Sequence, residues 1–125
     1  MTKKYDFDEK RNFKRFKAQK GAFAALRPDY NILGQIKDIS KGGLAFFYNA
    51  SGGNTTGSFE VDLFFIENDF YLNKLPVKTV FDFKVEDKVS LSSLPIKQLS
   101  MQFGKMNYNQ KMLLDFFLKK YTLRK

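Results

Sequence analysis

The sequence contains no cysteine, no histidine and no tryptophan among its 125 residues. Without cysteine the chain forms no disulfide and offers no thiolate as a nucleophile or metal ligand. Without histidine it lacks the usual zinc ligand and the side chain that most often acts as a general base near neutral pH. Ser-His and Cys-His nucleophile pairs are excluded for the same reason. We therefore expect the protein not to be an enzyme and to carry neither a metal nor a cofactor.

Long apolar runs are also absent. No stretch approaches the roughly 20 apolar residues that a helix needs to cross a bilayer, and the N-terminal residues do not resemble a secretion signal. The lack of cysteine fits a reducing compartment. These observations predict a cytoplasmic protein that does not contact a membrane.

Basic residues and phenylalanine are abundant instead. Lysine and arginine number 22 against 13 acidic residues, which gives a formal charge of +9 and favours anionic partners. The chain has 15 phenylalanines and 43% hydrophobic residues, enough for the core of a single domain. Phenylalanine and β-branched residues favour strands.

Two short motifs carry the most chemical information. The first is Arg-x-x-x-Arg, formed by Arg11 and Arg15, and the second is Asp-x-Ser-x-x-Gly, formed by Asp38, Ser40 and Gly43. A guanidinium group pairs bidentately with phosphate or with the O6/N7 edge of guanine, and it also stacks on bases. An aspartate accepts hydrogen bonds from guanine N1 and N2, while serine hydroxyls and glycine amides allow phosphate to approach. The set indicates a ligand that contains guanine and phosphate.

Each motif alone has a simpler interpretation. Arg-x-x-x-Arg is common in basic segments and is usually a solvated face. Asp-x-Ser-x-x-Gly fits a turn in which the aspartate or serine accepts backbone hydrogen bonds and glycine adopts positive φ. The order of the two motifs and their separation by one predicted strand favour ligand binding.

The hydrophobic pattern predicts six strands followed by one helix. In the longest strand one predicted face carries Leu75, Val77, Thr79, Phe81, Phe83 and Val85, and the other carries Lys74, Lys78, Asp82 and Lys84. The predicted strands cover about residues 21–26, 31–39, 44–48, 59–66, 75–85 and 96–103.

The predicted helix spans about residues 107–121 and begins at Asn107 or Asn109 as N-cap. Its apolar stripe, predicted to cover the strands, consists of Met112, Leu113, Phe116, Phe117 and Tyr121. We expect a basic arm at 1–20 and an antiparallel barrel with a C-terminal helix at 21–125, since closure into a barrel hides the strand edges.

In its motif order and element pattern the chain resembles the PilZ domain family. The resemblance implies an all-β fold, a six-stranded antiparallel barrel plus a C-terminal α-helix, that binds the bacterial second messenger cyclic di-GMP beneath the N-terminal arm. It further implies a role in motility or biofilm regulation.

The resemblance also assigns roles to individual residues. Arg11 and Arg15 would bind guanine and phosphate, Asp38 and Ser40 would hydrogen-bond to the ligand, and Gly43 would keep the turn open. Many members have a further basic residue where this chain has Lys10, which supplies charge but cannot stack as arginine does. Members often have glycine where this chain has Ser100, a difference that we expect to affect packing more than ligand.

The expected function is a single-domain receptor that signals in trans to an unidentified protein effector when its arm closes over cyclic di-GMP. One alternative is a ligand-independent protein adaptor, although the intact motif pair argues against it. Another is a barrel that binds single-stranded nucleic acid, since a basic arm with aromatic residues is typical of such proteins. Nucleic acid is the less expected partner, and the salt dependence of binding would discriminate.

Overall fold

The computed structural model describes residues 13–28, 32–50, 54–85 and 95–123. Within these ranges the chain forms eight strands, a short 3₁₀ helix at Ile66–Asn68 and one α-helix, α1, at Tyr108–Lys120. The strands are β1 (Phe16–Ala18), β2 (Ala22–Arg27), β3 (Leu33–Ile39), β4 (Gly43–Asn49), β5 (Ser58–Phe65), β6 (Phe70–Lys84), β7 (Ile96–Phe103) and β8 (Thr122–Leu123).

Six of the strands form a closed antiparallel barrel. Their order is β2-β5-β6-β7-β4-β3, and pairing between β2 and β3 closes the circle. The predicted six-stranded barrel with a C-terminal helix is confirmed. The short strands β1 and β8 were not predicted, since two or three residues are too few to show a period. Strand β1 pairs with β3, and β8 pairs with β1.

Inward-facing side chains of the barrel make one hydrophobic core, which α1 covers. Residues such as Phe46, Leu63 and Leu99 are fully buried on the inner faces of their strands. Asn107, one of the two predicted N-caps, caps the helix: its side chain accepts a hydrogen bond from the Gln110 N–H at 2.8 Å, and the Gln110 side chain accepts one from the Asn107 N–H at 3.0 Å. This capping box fixes where the helix starts over the barrel.

The face of α1 that meets the barrel is only partly the predicted one. Phe117 and Tyr121 are buried as expected, but their buried helical partners are Leu114 and Leu118. The rest of the predicted stripe, Met112, Leu113 and Phe116, is 40–51% exposed. The helix is apolar around much of its circumference, so periodicity alone could not say which side packs on the barrel.

A β-bulge in β6 overturns the predicted face of that strand. Thr79 lies opposite Met101 and Phe81 lies opposite Ser100, so Val80 is one extra residue on β6. One extra residue moves every later side chain to the other face. Phe81 and Phe83 therefore point outward, away from the face of Leu75, and Asp82 points inward, opposite Leu99. The bulge thus places two phenylalanines on the outer surface.

The inward-pointing Asp82 is held by polar partners. The Tyr48 hydroxyl donates to its carboxylate at 2.9 Å, the Thr55 hydroxyl also donates to it, and Lys97 Nζ lies 3.5 Å away. Burial and the neighbouring carboxylate both raise the pKa of Tyr48. Asp82 therefore fastens the segment that contains Thr55 to the end of the barrel.

Candidate functional site

The Asp-x-Ser-x-x-Gly motif forms the end of β3, a tight turn and the first residue of β4. Ser40 Oγ accepts a hydrogen bond from the Gly42 N–H at 3.0 Å, and the Ser40 N–H donates to the Gly43 carbonyl at 2.8 Å. The Ser40 side chain is almost completely buried. The turn role considered for this motif from sequence is thus present in the structure.

Gly43 is the first residue of β4 and lies opposite Gln102 of β7. Its carbonyl also accepts the hydrogen bond from the Ser40 N–H that closes the turn. A Cβ placed on Gly43 would lie 2.2 Å from the Met101 carbonyl oxygen, far inside van der Waals contact. The absence of a side chain therefore lets β4 and β7 approach, and that close approach forms the floor of the site.

Strand β1 brings the two motifs together. Lys17 of β1 lies opposite Asp38 of β3, and the described residues just before β1 lie beside the outer face of the barrel. Arg15 Nη1 lies 2.6 Å from Asp38 Oδ1, with the arginine side chain 58% exposed and the aspartate 22% exposed. The predicted residues Lys10 and Arg11 lie outside the described residues.

The floor next to this ion pair is made of small residues. Cross-strand partners place Asp38, Ala45, Ser100 and Phe81 in one row across β3, β4, β7 and β6. Neighbouring strands are about 4.8 Å apart, so the row spans about 14 Å from Asp38 to Phe81. Ser100 and Phe81, at the β7 and β6 end of this row, line a groove on the outer face.

The groove has a volume of about 340 Å³. Arg15 and Phe13 form one wall, and Val80 with the 64% exposed Phe81 forms the other. Arg15 is the only charged side chain among the described residues that line it. The full lining is Phe13, Arg15, Ser40, Gly42, Gly43, Val80, Phe81, Ser100, Met101 and Gln102. A cation, an aromatic wall and polar side chains on a flat floor suit a planar, anionic ligand.

Two lining residues were missed or misjudged from sequence. Ser100 was expected to affect packing, but its register places it on the outer face, on the groove floor. Phe81 was placed on the same face as core residues, and the bulge at Val80 puts it in the groove wall. Alternation along β7 already placed Ser100 opposite Leu99 and Met101, whereas the outward position of Phe81 follows from the register between β6 and β7.

Another largely buried carboxylate, Asp62, lies elsewhere on the barrel and is fully engaged. It accepts hydrogen bonds from Arg27 Nε at 2.8 Å, the Tyr71 hydroxyl at 2.6 Å and the Lys74 N–H at 2.9 Å. Burial by itself raises the pKa of Asp62, but these donors outweigh burial and hold that pKa below its usual range. The described part of the chain contains no cluster of three or more acidic residues that could hold a metal ion.

Comparison with solved structures identifies the architecture. The PilZ domain of YcgR from Escherichia coli, a structure with c-di-GMP, superposes with a TM-score of 0.61 over 86% of this chain and 90% of that domain, at 12% sequence identity. The chain has the PilZ fold.

Structures of MrkH contain the same PilZ fold. The complex of K. pneumonia MrkH with c-di-GMP matches at a TM-score of 0.60 and 17% identity, covering 86% of this chain and 49% of MrkH. A second MrkH structure, described as a c-di-GMP-dependent transcription regulatory factor, matches at 0.62 and 19% identity over 86% and 48%. The chain thus spans about half the length of MrkH.

The sequence itself carries little of this likeness. No family model and no curated protein sequence matches it. The similarity to the solved structures, at 12–19% sequence identity, is therefore a similarity of fold. Among the described residues, no helix is both long and apolar enough to span a membrane.

Proposed function

We propose that this protein is a PilZ-family receptor for cyclic di-GMP. The observation that carries the proposal is the meeting of Arg15 and Asp38, one from each sequence motif, at the edge of an outer-face groove with a floor of small residues. The same fold holds c-di-GMP in the YcgR domain and in MrkH. The ion pair and the groove supply the chemistry for a guanine nucleotide on this chain.

Each residue has a distinct role in the proposed complex. The Arg15 guanidinium binds a phosphate or the guanine O6/N7 edge, and Arg11 adds a second such group from the arm. Asp38 accepts from guanine N1 and N2, because a carboxylate has acceptor capacity beyond its bond to Arg15. Ser40 and the backbone near Gly43 border the ligand, and Lys10 contributes positive charge.

Signalling follows from closure of the arm. Arg11, Lys14 and Arg15 repel one another, and the two phosphate charges of cyclic di-GMP relieve that repulsion when the ligand binds. The closed arm presents a different surface from the open arm, so an effector protein distinguishes the two states by its contacts. This output acts in trans, from the receptor to a separate protein.

Calorimetric titration with cyclic di-GMP tests the receptor proposal. We expect saturable binding, with GTP binding much more weakly and a single-stranded oligonucleotide not competing. The salt dependence should be shallow, since the ligand has only two phosphates, whereas a reader of many phosphates loses affinity steeply as salt rises. Absence of both heat and thermal stabilisation at high ligand concentration would overturn the proposal. Tight, steeply salt-dependent oligonucleotide binding would favour the nucleic-acid alternative.

Replacement of Phe81 by alanine tests the aromatic wall. We expect the affinity for cyclic di-GMP to fall about five- to 150-fold, because stacking of a base on an aromatic ring contributes about 1–3 kcal/mol. Phe83→Ala is the matched control, since Phe83 is another exposed phenylalanine on the outer face of β6 but does not line the groove. Titration of both variants decides the question, and equal affinities for the two would count against a base at Phe81.

A further inference from the structure

A second groove lies on the other side of the arm, between the arm and α1. Its volume is about 420 Å³, and three lysines from three different parts of the chain border it. They are Lys14 on the arm, Lys41 in the turn between β3 and β4, and Lys119 on α1. The base of the groove is apolar and includes Phe13 and Leu118.

The groove has an excess of positive charge. Asp115 is the only carboxylate among the described residues that line it, and its Oδ1 lies 3.9 Å from Lys41 Nζ. Both side chains are more than half exposed, so this pair is weak. A concave surface with two uncompensated lysines attracts negatively charged partners.

An exposed apolar stripe borders the same groove. Met112 precedes Lys119 by seven residues, two helical turns, and precedes Phe116 by four, so these residues share one side of α1. Met112 is 51% exposed, and Phe116 is 47% exposed although its ring stacks on Phe70. Tyr108 extends the stripe by one more turn. Contiguous exposed apolar residues of this kind are typical of surfaces that bind a partner.

We propose that the groove and the stripe together dock an acidic amphipathic helix of a partner protein. Leucine-type side chains of that helix pack on Met112 and Phe116, and its carboxylates pair with the three lysines, which is helix-in-groove recognition. The carboxylate of Asp115 inside the groove disfavours densely anionic occupants such as a nucleic-acid strand. A concave channel also fits a single helix better than it fits a flat bilayer surface.

The arm links this docking groove to the proposed ligand groove. Phe13 lines both grooves, and the adjacent residues Lys14 and Arg15 each line one of them. A ligand that fixes Arg15 therefore also fixes one wall of the docking groove. Docking itself does not require the ligand, and only this coupling rests on the proposed function.

Fluorescence anisotropy with a designed peptide tests the docking site. The probe is a fluorescein-labelled helical peptide with leucine at every third or fourth position and glutamate elsewhere, and its control peptide has glutamine in place of glutamate. We expect saturable binding of the glutamate peptide only. The triple variant Lys14→Gln, Lys41→Gln, Lys119→Gln should bind it about tenfold more weakly.

Matched variants separate a local site from net charge and from misfolding. Lys20→Gln, Lys37→Gln, Lys84→Gln removes the same charge from exposed lysines outside the groove and should retain nearly full affinity. Met112→Ser should weaken binding severalfold, whereas Leu113→Ser, at a similarly exposed position on another side of α1, should not. Equal loss in both lysine triples, or no saturable binding, overturns the docking site. Tighter binding to anionic vesicles or to an oligonucleotide than to the peptide also overturns it.

The coupling is measured by repeating the titration with saturating cyclic di-GMP. A changed peptide affinity supports the link through the arm. An unchanged affinity in a protein that binds the ligand overturns the link alone, and failure to bind the ligand is a failure of the proposed function and leaves the docking result standing.

Discussion

Arg15→Ala is expected to weaken cyclic di-GMP binding about 100-fold while changing the thermal unfolding temperature little. The guanidinium group supplies the only charge among the described residues of the groove wall, and losing a bidentate, charge-assisted hydrogen bond to a ligand costs about 3 kcal/mol. The ion pair between Arg15 and Asp38 is largely exposed on the arginine side, and such pairs contribute at most about 1 kcal/mol to folding. The affinity and the stability of this variant should therefore respond very differently.

Two further variants make the Arg15 result specific. Arg15→Lys keeps the charge but loses the planar fork, so it should recover only a small part of the affinity. Lys17→Ala removes a neighbouring exposed cation that lies opposite Asp38 in the β1–β3 pairing but does not line the groove, and it should bind nearly as tightly as the unmodified protein. If Lys17→Ala and Arg15→Ala lost affinity equally, binding would depend on the general charge of the arm and not on Arg15.

The ligand must also change what Arg15 contacts. In this structure the guanidinium lies 2.6 Å from Asp38, so a guanine that donates to Asp38 shares this carboxylate with Arg15. When guanine donates to Asp38 and phosphate approaches Arg15, each partner gains a contact that replaces or supplements the ion pair. Because such an exposed pair contributes little to folding, its replacement by ligand contacts costs little free energy.

Much of the barrel could be predicted from sequence because it depends on local patterns. The strands from 21 to 49 alternate or run apolar between clear turn signals, and Asn107 with Gln110 gives a recognisable helix start. Of the candidate site residues, Arg15 and Asp38 are found in contact, and Ser40 and Gly43 border the same groove. Asp38, Ser40 and Gly43 lie at or next to the ends of predicted strands, whereas Arg15 was identified by its motif in the predicted arm.

The outer wall of the groove could not be predicted, because it depends on pairing between strands. The sequence from Leu75 to Phe83 alternates except at Pro76 and Val80, and the alternation was interpreted as one continuous face. Only the register with β7 shows Val80 as an extra residue and Phe81 as outward-facing. The same limit applies to α1, where apolar residues on several sides left the packing face undetermined until the barrel surface was known.

Alanine at either of two strand glycines is expected to destabilise the barrel severely. A Cβ on Gly34 would lie 1.6 Å from the Phe47 carbonyl oxygen, and a Cβ on Gly43 would lie 2.2 Å from that of Met101. Both neighbours are backbone atoms in paired strands, which cannot rotate away as a side chain can. We expect Gly43→Ala to lower the free energy of unfolding by about 3 kcal/mol and Gly34→Ala by at least as much, measured by urea denaturation.

Gly42→Ala is the control for the glycine of the motif. Its Cβ would meet the Phe13 ring at 2.9 Å, and that ring belongs to a partly exposed side chain that can move. The loss should therefore stay below about 1 kcal/mol. If Gly43→Ala were as stable as Gly42→Ala, the close approach of β4 and β7 would not be the reason for glycine at position 43. If instead it unfolds as expected, its loss of ligand binding reports the collapse of the groove floor. Direct contact with the ligand is then tested by substitutions at Arg15, Asp38 and Phe81.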